Sequence, residues 1–117
     1  MNQHEKINYI ELPSRNLKAV KKFYSSAFGW SFLDYGPEYS AIQDGGLDGG
    51  FYKSDLKSTT ESGSVLVVLF SEDLEATQRK VEASGGHIIK DIFEFPGGRR
   101  FHFTDPSGNE LAVWSSR

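Results

Sequence analysis

The chain has 117 residues, a net charge of −3 and 25% charged residues, the ordinary balance of one globular domain (residues 1–117). Acidic and basic residues are interspersed, so no basic stripe offers a nucleic-acid surface, and no apolar run approaches the ~20 residues that cross a bilayer. The chain has no cysteine, which excludes disulfides, thiolate nucleophiles and thiolate metal sites and fits a cytoplasmic setting.

In chain order, residues 7–12 read as a short apolar strand. Asn16 then caps a helix, because its short side chain can accept from the free amides of the first turn. Leu17, Val20, Phe23, Tyr24, Ala27 and Phe28 recur at helical spacing, and Gly29 ends the run. Strands are expected at 30–35, 39–43 and 50–53, separated by Gly36-Pro37 and Asp44-Gly45-Gly46 turns. The polar stretch 54–64 reads as a linker. A second series follows: strand 65–70, an Asp73-capped helix carrying Leu74, Thr77 and Val81, and glycines at 85 and 86. Strands at 87–90, 99–104 and 110–114 complete it.

The second series repeats the first. An offset of 57 lays residues 12–29 over 69–86, with Leu12/Leu69, Ser14/Ser71, Leu17/Leu74, Ala19/Ala76 and Gly29/Gly86 identical. Module 1 covers about residues 6–53 and module 2 about 65–115, each in the order βαβββ. The predicted class is α+β, with two βαβββ modules side by side and curved mixed sheets forming a cup.

Strand alternation divides the side chains. Ile10, Leu12, Phe101, Phe103, Leu111 and Val113 are assigned to the helix side. Tyr9, Glu11, Leu66, Val68, Phe70, Arg100, His102, Thr104, Glu110, Ala112 and Trp114 are assigned to the cup. From these come the candidate ligand contacts: Tyr9, Glu11, Leu66, Arg100, His102, Glu110 and Trp114. An apolar lining with a few placed polar groups is the pattern of a small-molecule site. Arg100 can clamp an anion, and His102 is the candidate catalytic base. Competing structural roles are solvation of Glu110 at a strand end, an ion pair between Glu11 and Arg100, and a hydrogen-bonded core position for His102. Asp105 is expected to cap its own turn.

Ile10, Glu11, Leu12 and Pro13, then Lys22-Phe23-Tyr24 running to Phe28-Gly29-Trp30, and Asp105-Pro106-Ser107-Gly108-Asn109 together resemble the vicinal oxygen chelate superfamily. That superfamily includes glyoxalase I, bleomycin-resistance proteins and extradiol dioxygenases. The resemblance spans roughly residues 6–115. It implies a cup holding one divalent ion in the metal-dependent members, and a homodimer. Carried over, the ligand positions fall on Tyr9, Leu66, Ala112 and the strand at 50–53. Leucine and alanine cannot bind a metal. The expectation is therefore no metal and no other cofactor, and a metal-independent small-molecule-binding protein. The alternative is a glyoxalase-type lyase or isomerase using His102 as base, or a displaced metal held by Glu11, His102 and Glu110.

Overall fold

A computed structural model describes residues 2–117. The first module runs β1 (Tyr9–Ser14), α1 (Leu17–Phe28), β2 (Ser31–Asp34), β3 (Tyr39–Gln43) and β4 (Asp48–Lys53). The second runs β5 (Val67–Phe70), α2 (Leu74–Ala83), β6 (His87–Phe95), β7 (Gly98–Thr104) and β8 (Glu110–Ser115). Each forms a four-stranded mixed sheet, in the orders β1-β4-β3-β2 and β5-β8-β7-β6. In each, the first and last strands pair in parallel and the rest are antiparallel. This is the expected α+β, cup-like pair of βαβββ modules. Among the described residues, no helix is long and apolar enough to cross a membrane.

The caps form as the sequence requires. Asn16 and Asp73 accept from the amides of Ala19 and Ala76 at 3.1 Å. Gly29 ends α1 in the left-handed conformation, with φ of 75°, where a Cβ would be strained. The stripe on α1 is wide, and Val20, Phe23, Tyr24 and Ala27 are buried; on α2 only Leu74 and Val81 are.

One core joins the modules. It combines Leu12, Phe23, Tyr24 and Phe51 with Leu74, Phe101, Phe103, Leu111 and Val113. Phe23 meets Phe103 with ring centroids 5.9 Å apart. Of the helix-side assignments, Leu12, Phe101, Phe103, Leu111 and Val113 lie in the core and Ile10 is only partly buried. On the opposite face of the second sheet His102, Ala112 and Glu110 are buried as well, while Arg100, Thr104 and Trp114 are partly exposed.

A polar seam fastens the modules as well. The Tyr24 hydroxyl donates to Asp105 Oδ2 at 2.9 Å. Asp105 Oδ1 accepts from the amides of Ser107 (2.8 Å) and Asn109 (3.0 Å), so Asp105 does cap its turn. The Asn109 side-chain amide donates to Asp105 Oδ2 and to the carbonyl of Pro13, at 3.1 and 2.7 Å. Ser14 and Ser107 hydroxyls meet at 2.8 Å. Burial pushes the Asp105 carboxyl up, against the hydrogen bonds from Asn109, Tyr24 and the Ser107 amide that favour its anion.

Several sequence-based boundaries change: β1 begins at Tyr9 and runs to Ser14, β4 begins at Asp48, and β5 begins at Val67, which leaves Leu66 just outside it. Strand β6 continues to Phe95 instead of stopping at Lys90, and its pairing with β7 is interrupted by register shifts between Ile88 and Lys90 and between Lys90 and Phe93. The 54–64 linker is more than a spacer. The Ser58 amide donates to Asn109 Oδ1 at 2.9 Å, and its carbonyl accepts from the Glu110 amide at 2.8 Å. The linker is a strap laid on the start of β8.

Candidate functional site

The face of the second sheet opposite the core gathers most of the candidate residues. Arg100, His102 and Thr104 alternate along β7 and pair with Trp114, Ala112 and Glu110 of β8. Directly paired residues project to the same side of a sheet. His102 Nδ1 lies 2.8 Å from Glu110 Oε2. The other carboxylate oxygen accepts from the Thr60 amide at 2.9 Å and the Thr60 hydroxyl at 2.8 Å. Glu110 is therefore not solvated at a strand end; at 5% exposed it is buried beneath the strap. Burial alone would raise its carboxyl pKa. The hydrogen bonds from His102 and Thr60 outweigh that and hold it below the usual carboxylate range.

Arg100 forms no pair with Glu11. Its guanidinium carbon sits 5.4 Å from the centroid of the Phe93 ring and 5.6 Å from that of Phe95, a cation–π arrangement. The two residues are on different sheets, and Glu11 has its own partner. Among the described residues no ion pair engages Arg100, and its Nε is buried without a hydrogen-bond partner. His102, 2% exposed, has the same deficit at Nε2. Phe93 stacks at a tilt 5.8 Å from the imidazole. Trp114 packs edge-on to Phe70 at 5.2 Å and to Phe95 at 6.3 Å. Phe93 and Phe95 belong to the part of β6 that sequence reading missed. Their alternation, just before the Gly97-Gly98 turn that returns the chain to Arg100, was the available signal.

The first sheet presents a different chemistry. The Tyr39 hydroxyl donates to Glu11 Oε2 at 3.0 Å and shares a hydrogen bond with the Tyr9 hydroxyl. Burial pushes the Tyr39 phenol up, and its bonds to Tyr9 and Glu11 add to the effect. Gly50 makes this possible. A Cβ there would sit 2.1 Å from the Tyr39 hydroxyl, so only glycine lets the ring lie across the strand. Tyr39 was not among the candidates from sequence.

Leu66 lies elsewhere, on a cavity of about 720 Å³ at the boundary of the modules, with Ile10, Trp30, Ile42, Leu69 and Val113. A second cavity, about 850 Å³, runs under the strap and takes in Glu11, Tyr52, Leu56 and Ser62. Neither is lined by Arg100, His102, Glu110 or Trp114.

The inherited metal positions do not fit a metal. Leu66 and Ala112 carry no donor atom, and Ala112 is fully buried. The displaced set is not assembled either. His102 and Glu110 bond to each other while Glu11 bonds to Tyr39 on the other sheet. Among the described residues, no three His, Asp or Glu side chains converge.

Comparison with known proteins agrees with this architecture. The family described as Glyoxalase/Bleomycin resistance protein/Dioxygenase superfamily matches residues 6–113. An uncharacterized protein of Mycolicibacterium smegmatis is 32% identical over 119 residues, covering 98% of this chain and 97% of its own. Several longer curated relatives, 25–27% identical, are spanned over only 45% of their length. Among solved structures, a glyoxalase-related enzyme from Fulvimarina pelagi superposes with a TM-score of 0.79 at 17% identity, over 95% of this chain and 88% of that one. The antibiotic-binding protein TnmS3 from Streptomyces sp. CB03234 gives 0.70 at 18% identity, over 98% of both chains. At these identities the structures speak for the fold, and the matched family speaks for descent: the chain belongs to the Glyoxalase/Bleomycin resistance protein/Dioxygenase superfamily.

Proposed function

We propose that this chain is a metal-independent small-molecule-binding protein whose ligand sits on the face of the second sheet that carries Arg100 and Trp114. The observation that carries this reading is Arg100. Its guanidinium is half-buried between two phenylalanine rings with no anionic partner of its own. A buried guanidinium N–H without an acceptor costs stability, and an anionic ligand would offset that cost. Trp114, Phe70 and Phe95 supply the apolar wall beside it. The relative TnmS3 is described as an antibiotic-binding protein, which supports binding as a use of this fold.

The test is a fragment screen by NMR on metal-free protein, comparing the chain with Arg100→Met. Methionine keeps the apolar stem and loses the charge. Acidic aromatic fragments should shift the Phe93, Phe95 and Trp114 resonances and lose at least about tenfold in affinity in the variant, as befits a charged hydrogen bond. Binding that appears only after a divalent metal is added, or that ignores the substitution, sinks the proposal.

The second reading is an enzyme of lyase or isomerase type, favoured by one observation. The His102–Glu110 pair leaves His102 Nε2 free, the arrangement of a base oriented by a carboxylate. His102→Ala would abolish turnover on that reading.

The same proposal includes a homodimer acting in the cytoplasm. Ile7 (83% exposed) and Val65 (82%) are large apolar side chains around the module boundary, and a second copy would cover them. Light scattering should give twice the 13.1 kDa chain mass; a monomer at working concentration removes the dimer. Cell fractionation that finds the protein outside the cytoplasm removes the placement.

A further inference from the structure

We infer that the ligand of this face is a hydroxylated aromatic acid, with its anionic group on Arg100 and its hydroxyl donating to Nε2 of His102. This rests on the binding reading above and adds the chemistry of the ligand. Among the described residues, the buried side-chain polar atoms without partners are Arg100 Nε and His102 Nε2. Buried polar groups are nearly always satisfied, so two orphans on one strand need a common explanation. They are two residues apart on β7, hence on the same face, with Cα atoms about 7 Å apart.

The two groups ask for opposite things. Arginine can only donate, so its partner is an acceptor, best an anion. Lys90, paired with His102 in register on β6, adds a second cation to this face. The demand of His102 follows from Glu110. That carboxylate takes the Thr60 amide and hydroxyl on one oxygen and faces Nδ1 with the other. An ionised carboxylate is an acceptor only, so Nδ1 carries the hydrogen. In the neutral ring the lone pair is then on Nε2, which needs a donor from the ligand. A plain carboxylate or phosphate dianion has none. A phenolic hydroxyl has one, and a benzene ring can carry it together with the carboxylate.

The surroundings suit a flat ligand. Phe70, Phe95 and Trp114 offer ring faces and edges. Phe93 lies against both Arg100 and His102. It sits beside the register shifts of β6, where the ladder is weakest and a side chain can be re-aimed. The ligand takes the place of that ring.

The experiment titrates the full chain with benzoate, phenol and the hydroxybenzoate isomers by calorimetry, and records imidazole nitrogen NMR of the free protein. The expected result is at least about tenfold tighter binding of one hydroxybenzoate than of benzoate or phenol, with His102 Nε2 unprotonated in the free protein at neutral pH. Equal binding of benzoate and the hydroxybenzoates, or a proton on Nε2, overturns the inference while the binding reading stands. If none of these acids bind, the binding reading falls with the inference even where uncharged fragments shift Trp114, because that reading requires an anion at Arg100. If nothing binds this face, both fall. The ligand series needs no variant of His102, so misfolding cannot mask the answer.

Discussion

Asp105→Ala should be the most damaging single substitution outside the apolar core, lowering stability by about 3 kcal/mol and Tm by roughly 10–15 °C. The carboxylate is 2% exposed and accepts from Tyr24, two backbone amides and the Asn109 side chain. Alanine leaves the Tyr24 hydroxyl and the two amides without an acceptor, and the Asn109 side chain with the Pro13 carbonyl alone, so the desolvation cost of each lost bond is felt. Tyr24→Phe removes one donor and should cost about 1 kcal/mol. Thermal melts followed by circular dichroism give both values. If Asp105→Ala costs no more than Tyr24→Phe, the turn is held by its backbone alone and the seam between the modules is incidental.

Glu110→Ala is expected to come second, at about 2–3 kcal/mol, with a local signature. It strips the Thr60 amide and hydroxyl and the His102 Nδ1 of their partner at once. Amide exchange at Thr60 should accelerate sharply, and the strap should become a site of proteolytic nicking. The pH dependence has a definite sign. The carboxyl of Glu110 is held below its unfolded value, so its contribution is complete above the ordinary glutamate pKa of about 4.3 and is lost as pH falls through the folded value. Asp105 runs the other way: with its pKa raised by burial, it weakens the fold as pH rises from the unfolded value to the folded one. Glu110→Gln should flatten the acid limb of a stability-against-pH curve measured by denaturant melts. An unchanged acid limb in that variant would show that some other carboxylate governs acid unfolding.

Much of the fold was legible because it depends on local chemistry. The caps at Asn16 and Asp73 form as single side chains require. Strict alternation in β7 and β8 separated core residues such as Phe101 and Val113 from Arg100 and Trp114. Legibility failed where a strand departs from alternation. In β6 the register shifts break the period of two, so the reading stopped at Lys90 and lost Phe93 and Phe95, which hold Arg100. It failed again where a partner comes from a distant segment. Thr60 reaches Glu110 across 50 residues, and nothing near either one announces the bond. The pairing imagined between Glu11 and Arg100 rested on complementary charge alone, and the sheets place each beside aromatic rings of its own module.

The seam also bears on how the chain is made. Tyr24 waits for a partner 81 residues downstream, Ser14 for one 93 away and the Pro13 carbonyl for one 96 away. During vectorial synthesis the first module therefore emerges with its helix only half covered. At about 5–20 residues per second it stays so for several seconds, until the turn before β8 clears the ribosome. Contacts of such long separation also slow refolding. The duplicated halves are thus not two independent foldable copies: the later one completes the earlier, and a ribosome stalled before Asp105 would release a nascent chain with the apolar flank of α1 exposed to chaperones.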